Sequence, residues 1–193
     1  MKNHLVLISL LVLPAVTLLE PIVYDNFEGS KVLFYGVKNV GLDTAVANPK
    51  SNDVNTSKKC AKYKRNGSMK FDNIKMEFSG KLSDVSDYST YLGVPPKLKM
   101  KIYTDAPPGT LVEILLGSRG RNNEYPAGTH SQYQAHTSIS NAWEELEFKF
   151  AQIPEGSETS AVQIDQLTVL FDPNSTSANT YYFDDITGPI LSQ

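Results

Sequence analysis

The chain has 193 residues, with 18 Lys+Arg set against 21 Asp+Glu and a formal charge of −3. Hydrophobic residues make up 40% and charged residues 20%; this excludes a wholly disordered or membrane-embedded chain and sizes it for one domain. The near-neutral balance argues against nucleic acid, which needs clustered Lys and Arg to displace counterions, and one Cys with three His falls short of the roughly four ligands of a Cys/His zinc centre.

A basic start, Met1-Lys2-Asn3-His4, precedes an apolar run from Leu5 to Leu13 that continues to Leu19 with an interruption at Pro14. Such a run is shorter than the roughly 20 residues of a membrane-crossing helix. It reads as a secretory signal peptide over residues 1–20, leaving 21–193 as a single domain that is secreted, periplasmic or on the cell surface, with no membrane contact once the signal is removed. The lone Cys60 cannot form an internal disulfide and reads as a buried, small apolar residue on a strand.

Beyond Pro21 the pattern is alternation. In Lys97-Leu98-Lys99-Met100-Lys101-Ile102-Tyr103, three lysines face one way and Leu98, Met100 and Ile102 the other, as in a half-buried strand. Residues 144–150 repeat this with Leu146, Phe148 and Phe150 inward. Further strands are expected at 31–37, 59–65, 69–78, 111–117, 130–139, 164–171 and 180–187, bounded by turn-formers such as Asn66-Gly67, Pro107-Pro108-Gly109 and Asp172-Pro173-Asn174. Many short strands at regular spacing predict an all-β antiparallel sandwich of jelly-roll type.

Acids stand near both ends: Glu28 in Asn26-Phe27-Glu28-Gly29, and Asp184-Asp185 near the C-terminus. If the first and last strands are neighbours these could converge on calcium, which takes six to eight oxygens. Spacing alone favours solvated surface acids with no metal, since two acids are a weak motif.

The strand from His130 to Thr137 is the most informative segment. Alternation puts His130, Gln132, Gln134 and His136 on one face and Tyr133 and Ala135 on the other. Amides both donate and accept, which suits sugar hydroxyls. Upstream, the long irregular stretch 117–129 carries Arg119, which could bind a uronate carboxylate, and Tyr125, which could stack on a sugar ring. A polar solvent face beside a surface loop explains the same pattern without a ligand. Trp143 just before an alternating strand reads as packing rather than as a sugar platform.

For catalysis, a glycosidase needs two carboxylates at a cleft. Glu113, Glu144, Glu145, Glu147, Asp165 and Asp172 are candidates, but nothing in the sequence pairs any two of them. No nucleophile-elbow or phosphate-loop pattern is present, and the chain is expected not to be an enzyme.

Five segments occur in the order Asn26–Ser30 (NFEGS), Val54–Asn66 (VNTSKKCAKYKRN), Phe71–Phe78 (FDNIKMEF), Asn141–Phe150 (NAWEELEFKF) and Tyr181–Pro189 (YYFDDITGP). In their order and spacing the chain resembles the galactose-binding-domain-like jelly rolls. These include many non-catalytic carbohydrate-binding modules of secreted polysaccharide-degrading systems, and it is particularly similar to such domains in exported proteins of Bacteroidetes-type bacteria. The resemblance spans roughly Val23 to Pro189. It implies a structural calcium held by Glu28 and by Asp184 or Asp185, and a scaffold role for Trp143. With that resemblance the first reading is a monomeric module with a polysaccharide or oligosaccharide partner, and the residues singled out above, Arg119, Tyr125, His130, Gln132, Gln134 and His136, are its expected ligand-binding set. Two other readings compete: an envelope adhesion domain with a protein partner, and a jelly-roll lyase or hydrolase using Glu113 with His130 and Arg119. A groove over Gln132 and Gln134 would favour sugar, and a flat face would favour protein.

Overall fold

A computed structural model describes residues 20–36, 40–82, 98–120, 125–158 and 164–192. The signal-peptide expectation for residues 1–20 lies outside this range except at Glu20. Thirteen β-strands form two sheets, and none of the described residues is helical. The first sheet has the order β3 (Leu42–Ala47), β4 (Lys59–Lys64), β13 (Thr180–Gly188), β6 (Lys99–Thr104), β9 (Trp143–Glu147), with β1 (Ile22–Asp25) also paired to β13. The second has the order β10 (Lys149–Gln152), β8 (Gly128–His136), β7 (Leu111–Gly117), β12 (Ile164–Phe171), β5 (Ile74–Leu82), β2 (Leu33–Tyr35). A short β11 (Ser157–Glu158) runs parallel beside β8; the other pairings are antiparallel.

From β4 to β7 the chain changes sheet at every connection, and it does so again at β8–β9, β9–β10 and β12–β13. This is the crossing pattern of a jelly-roll sandwich. It buries the alternating apolar residues of both sheets against each other: Met100, Ile102, Tyr181 and Phe183 from one, and Ile74, Met76, Val112, Ile114, Tyr133, Leu167 and Val169 from the other. Phe171 stacks on Tyr181 across the core with centroids 4.4 Å apart and rings 15° from parallel.

The expected strands at 111–117 and 164–171 match in their bounds, and those at 59–65 and 180–187 to within one residue. The segment 69–78 is a strand only from Ile74, because Met69 N–H bonds back to Asn66 O (3.0 Å) in a turn. The expected strand 144–150 is two strands in different sheets. Phe148, fully buried, is the pivot, and its N–H reaches Leu98 O at 2.9 Å. Both sheets face one core, so alternation continues unbroken through the switch.

The chain ends meet, as expected. Ile22 pairs with Gly188, and Tyr24 donates its hydroxyl to Pro189 O at 2.7 Å. Residue 188 must be glycine, because a Cβ there would lie 2.5 Å from the Tyr24 ring. The segment between β3 and β4 folds over the outer face of the first sheet. Trp143, only 3% exposed, donates Nε1–H to Asn48 Oδ1 (2.9 Å), while Asn48 Nδ2 donates to Ser57 O (2.8 Å). Trp143 is therefore scaffold. The same cover buries Cys60 fully, and burial, then the nearby Asp184 charge, pushes its thiol up to about 12. A thiol held protonated in this way is unreactive.

Candidate functional site

The outer face of the second sheet is built by register. Directly opposed residues on antiparallel strands share a face, so cross-strand partners form rows perpendicular to the chain. One row runs Lys75–Thr168–Leu115–Gln132–Gln152. The next runs Leu170–Glu113–Gln134–Lys149. A third runs Glu77–Gln166–Gly117–His130. The rows come from strands far apart in sequence but adjacent in the sheet.

These rows floor a cavity of about 170 Å³. It is lined by Lys75, Glu113, Leu115, Gly117, His130, Gln132, Gln166, Thr168 and Leu170, with Phe71 and Tyr125 as aromatic walls. The volume is below the roughly 300–1,000 Å³ of an enclosing small-molecule site, and it forms a shallow trough. Gly117 deepens it, since a Cβ there would meet Thr129 O at 2.9 Å and the His130 ring at 3.3 Å. Tyr125 and Phe71 are 53% and 58% exposed, so both rings are open to solvent and neither is buried in the core.

The polar groups of the floor are mutually held. Gln134 Nε2 donates to Glu113 Oε2 at 2.7 Å. Gln132 Nε2 donates to the Tyr125 hydroxyl at 3.2 Å and, more loosely, to Glu113 Oε1 at 3.5 Å. Gln152 Nε2 donates to Gln132 Oε1 at 2.6 Å. His130 Nε2 lies 3.0 Å from Ala127 O, and its ring packs against Tyr125 with centroids 5.7 Å apart. Burial raises the Glu113 carboxyl above its ordinary range, partly offset by the Gln134 bond. Burial lowers the His130 imidazole, with the Lys75 charge acting in the same direction and the Ala127 bond opposing it. A neutral His130 at pH 7 follows. The trough thus offers fixed amide, imidazole and carboxylate groups between two exposed rings.

The structure brings Tyr125, His130 and Gln132 together here. Gln134 stands beside them, tied to Glu113, outside the lining. His136 is exposed at the end of β8, away from the cavity. Arg119, expected as a ligand-facing cation, lies outside the cavity lining. Its main-chain N–H donates to Asp165 Oδ1 (2.8 Å), its Nε to Asp165 Oδ2 (3.3 Å), and its Nη1 pairs with Glu77. Two carboxylates thus answer its charge, on a side chain that stays 43% exposed. The lining residues Phe71, Lys75, Leu115, Gln166, Thr168 and Leu170 were not anticipated.

The acidic candidates at the chain ends do not converge as a trio. Glu28 Oε1 accepts from Lys58 N (2.6 Å) and Lys59 N (3.1 Å). Asp184, fully buried, accepts from Asn55 Nδ2 (2.9 Å) and Asp185 N (2.8 Å). Asp185 instead pairs with Lys101 (2.7 Å). Glu28 and Asp184 therefore both bear on the 55–59 segment, and Asp185 is engaged elsewhere. Among the described residues no three His, Cys, Asp or Glu side chains are grouped to hold a metal.

No family model matches the sequence, and no curated protein matches it. Among solved structures, the chain is similar to a family 11 carbohydrate-binding module from Clostridium thermocellum in complex with a β-1,3-1,4-mixed-linked tetrasaccharide: 15% identity, TM-score 0.47, covering 91% of this chain and 100% of that one. It is also similar to a family 30 carbohydrate-binding module (14% identity, TM-score 0.49, 90% and 85% covered). A third is a family 61 module in complex with β-1,4-galactotriose (10% identity, TM-score 0.41, 88% and 96% covered).

Proposed function

We propose that the chain is a non-catalytic carbohydrate-binding module that takes a polysaccharide or oligosaccharide in the trough of the second sheet. The observation that carries this reading is the cavity over Gln132, flanked by the exposed rings of Tyr125 and Phe71. A sugar ring has apolar C–H faces and a polar equator. Aromatic walls suit the first, and amides that donate and accept suit the second. Four of the six acids considered for catalysis have structural engagements away from the trough: Glu144 accepts from Ser138 N–H and Oγ, Glu145 and Glu147 hold Lys99, and Asp165 holds Arg119; Glu113 stands in the trough, where Gln134 and Gln132 donate to it. An apolar N-terminal run of signal-peptide type supports a role outside the cell.

Affinity electrophoresis against mixed-linked β-glucan, β-1,4-galactan and xylan tests the reading. Retention on at least one polymer is expected, and it should fall about tenfold or more in Tyr125→Ala and in Phe71→Ala with urea midpoints unchanged. A folded wild type retained on none of them overturns the reading.

A structural calcium is proposed in a narrower form than the sequence implied, on Glu28 and Asp184 without Asp185. What supports it is a fully buried acid answered by the Asn55 amide, the Asp185 N–H and the Ser57 hydroxyl, with no cation among the described residues paired to it by a salt bridge. Burial pushes Asp184 up to about 6 from the ordinary range near 4. The folded state then holds a proton that the unfolded state has released, so stability falls as pH rises from about 4 to about 6. A bound cation cancels that penalty. In EDTA the melting temperature should drop from pH 4.5 to pH 7, and calcium should restore it at pH 7 by mass action. Asp184→Asn should flatten both responses. No calcium response at pH 7 removes the cation site.

A further inference from the structure

The third row of the outer face does not end at Glu77. Phe34, at the centre of β2, is the register partner of Glu77, so it lies on the same face. Leu33 and Tyr35 turn inward: Leu33 is fully buried and Tyr35 packs against the core. Phe34 is 57% exposed. The full row is therefore Phe34–Glu77–Gln166–Gly117–His130, with Tyr125 packed on His130 at its far end. Its two ends are four strand spacings apart, about 19 Å. The middle of the row is Gln166, and its lowest point is the next position, Gly117, which carries no side chain. Between the middle and Phe34 stands Glu77, its carboxylate pinned to the Arg119 guanidinium, which Asp165 fixes from behind.

We propose that Phe34 is a distal sugar-stacking subsite, and that the glycan lies across the strands from Tyr125 over Gly117 and Gln166 to Phe34. This rests on the carbohydrate reading of the trough and extends it. The cavity itself accounts for the rings at Tyr125 and Phe71 but leaves an exposed phenyl at the sheet edge, on the same face and in the same row as the cavity floor. Burying that ring against a sugar face gains apolar contact without ordering new backbone. The Glu77–Arg119 pair between them is held rigid, and its polar edges can meet the hydroxyls of the intervening sugar. A ligand that reaches Phe34 must be several residues long. A short one bound at Tyr125 does not touch it.

Calorimetric titration with β-1,4-linked gluco- and galacto-oligosaccharides of three and six residues tests the subsite. Wild type should bind the longer ligand more tightly. Phe34→Ala should lose roughly 3–10-fold for the hexasaccharide and stay within about twofold for the trisaccharide, while Phe34→Tyr keeps wild-type behaviour. Urea midpoints guard against misfolding, which an exposed position makes a small effect. Equal affinities of Phe34→Ala and wild type at both lengths overturn the subsite alone, as does an equal loss at both lengths. If wild type binds neither ligand nor any of the polymers above, the trough reading falls and the subsite with it.

Discussion

Arg65→Ala should destabilise the fold by about 3–5 kcal/mol, the order expected when several carbonyls lose one charged, buried donor at once. Arg65 is 2% exposed at the β4 terminus. Its Nε donates to Phe171 O (2.8 Å) and its Nη1 to Ser177 O (2.6 Å). Its Nη2 reaches Met69 O, Lys70 O and Ser175 O at 3.1, 2.9 and 2.5 Å. One guanidinium thus satisfies five carbonyls from the turn before β5 and from the β12–β13 connection. Truncation takes this donor from all five; Lys70 O keeps the Asn174 N–H at 2.8 Å, and each carbonyl left unpaired costs about 1–3 kcal/mol before water enters. Arg65→Lys should recover less than half of the loss, because a compact ammonium has three donors and no planar fork. Urea unfolding by tryptophan fluorescence reads this through Trp143. A loss below about 1 kcal/mol for the Ala variant would mean that the two segments hold themselves. Because Lys70 precedes Phe71, variants that still fold should also bind sugar more weakly.

That coupling shows what alternation alone cannot reveal. The face of β8 was legible: strict alternation from His130 to His136 separates the amides from Tyr133, and the folded β8 keeps that division. The partners of Gln132 were not legible. Leu115, Thr168 and Lys75 reach its row only through register between β8, β7, β12 and β5, and register is set by packing between segments distant in the chain. Phe71 was expected within a strand over 69–78. It is a wall of the trough because Arg65 and the Asn66–Met69 turn hold that segment off the sheet. Arg119 was read from residue type; its charge is spent on Asp165 and Glu77, a pairing invisible without the β12 and β5 positions. At the chain ends, the meeting of first and last strands followed from the fold class. The place of Asp185 did not, because it sits at a positive φ of 45° within an irregularity of the β13 pairing; Phe183 and Ile186 both face the core, and Asp185 escapes the inward side that alternation would give it and reaches Lys101.

Gln132→Ala should reduce glycan affinity by about 10–100-fold while costing only about 1 kcal/mol of stability. Gln132 is the hub of the floor: it accepts from Gln152 and donates to Tyr125 and Glu113. Its loss frees the Tyr125 hydroxyl, so the stacking ring is no longer aimed, and it removes an amide from the cavity itself. The groups left behind line an open trough and can be hydrated, which keeps the stability cost small. Gln134→Ala is the contrasting variant. Gln134 bonds Glu113 from outside the lining, so its removal should mainly raise the Glu113 carboxyl further and cost less binding. Gln132→Glu keeps the shape but places a second carboxylate against Glu113 and removes the donor to Tyr125. It should bind more weakly than wild type at pH 7 and recover part of the loss as the pair is protonated at lower pH. Titration of the three variants against the polymer that wild type retains, with urea midpoints alongside, separates these effects. Wild-type affinity in Gln132→Ala would move the binding surface away from this trough, since Gln132 hydrogen-bonds both its Tyr125 wall and the Glu113 of its floor.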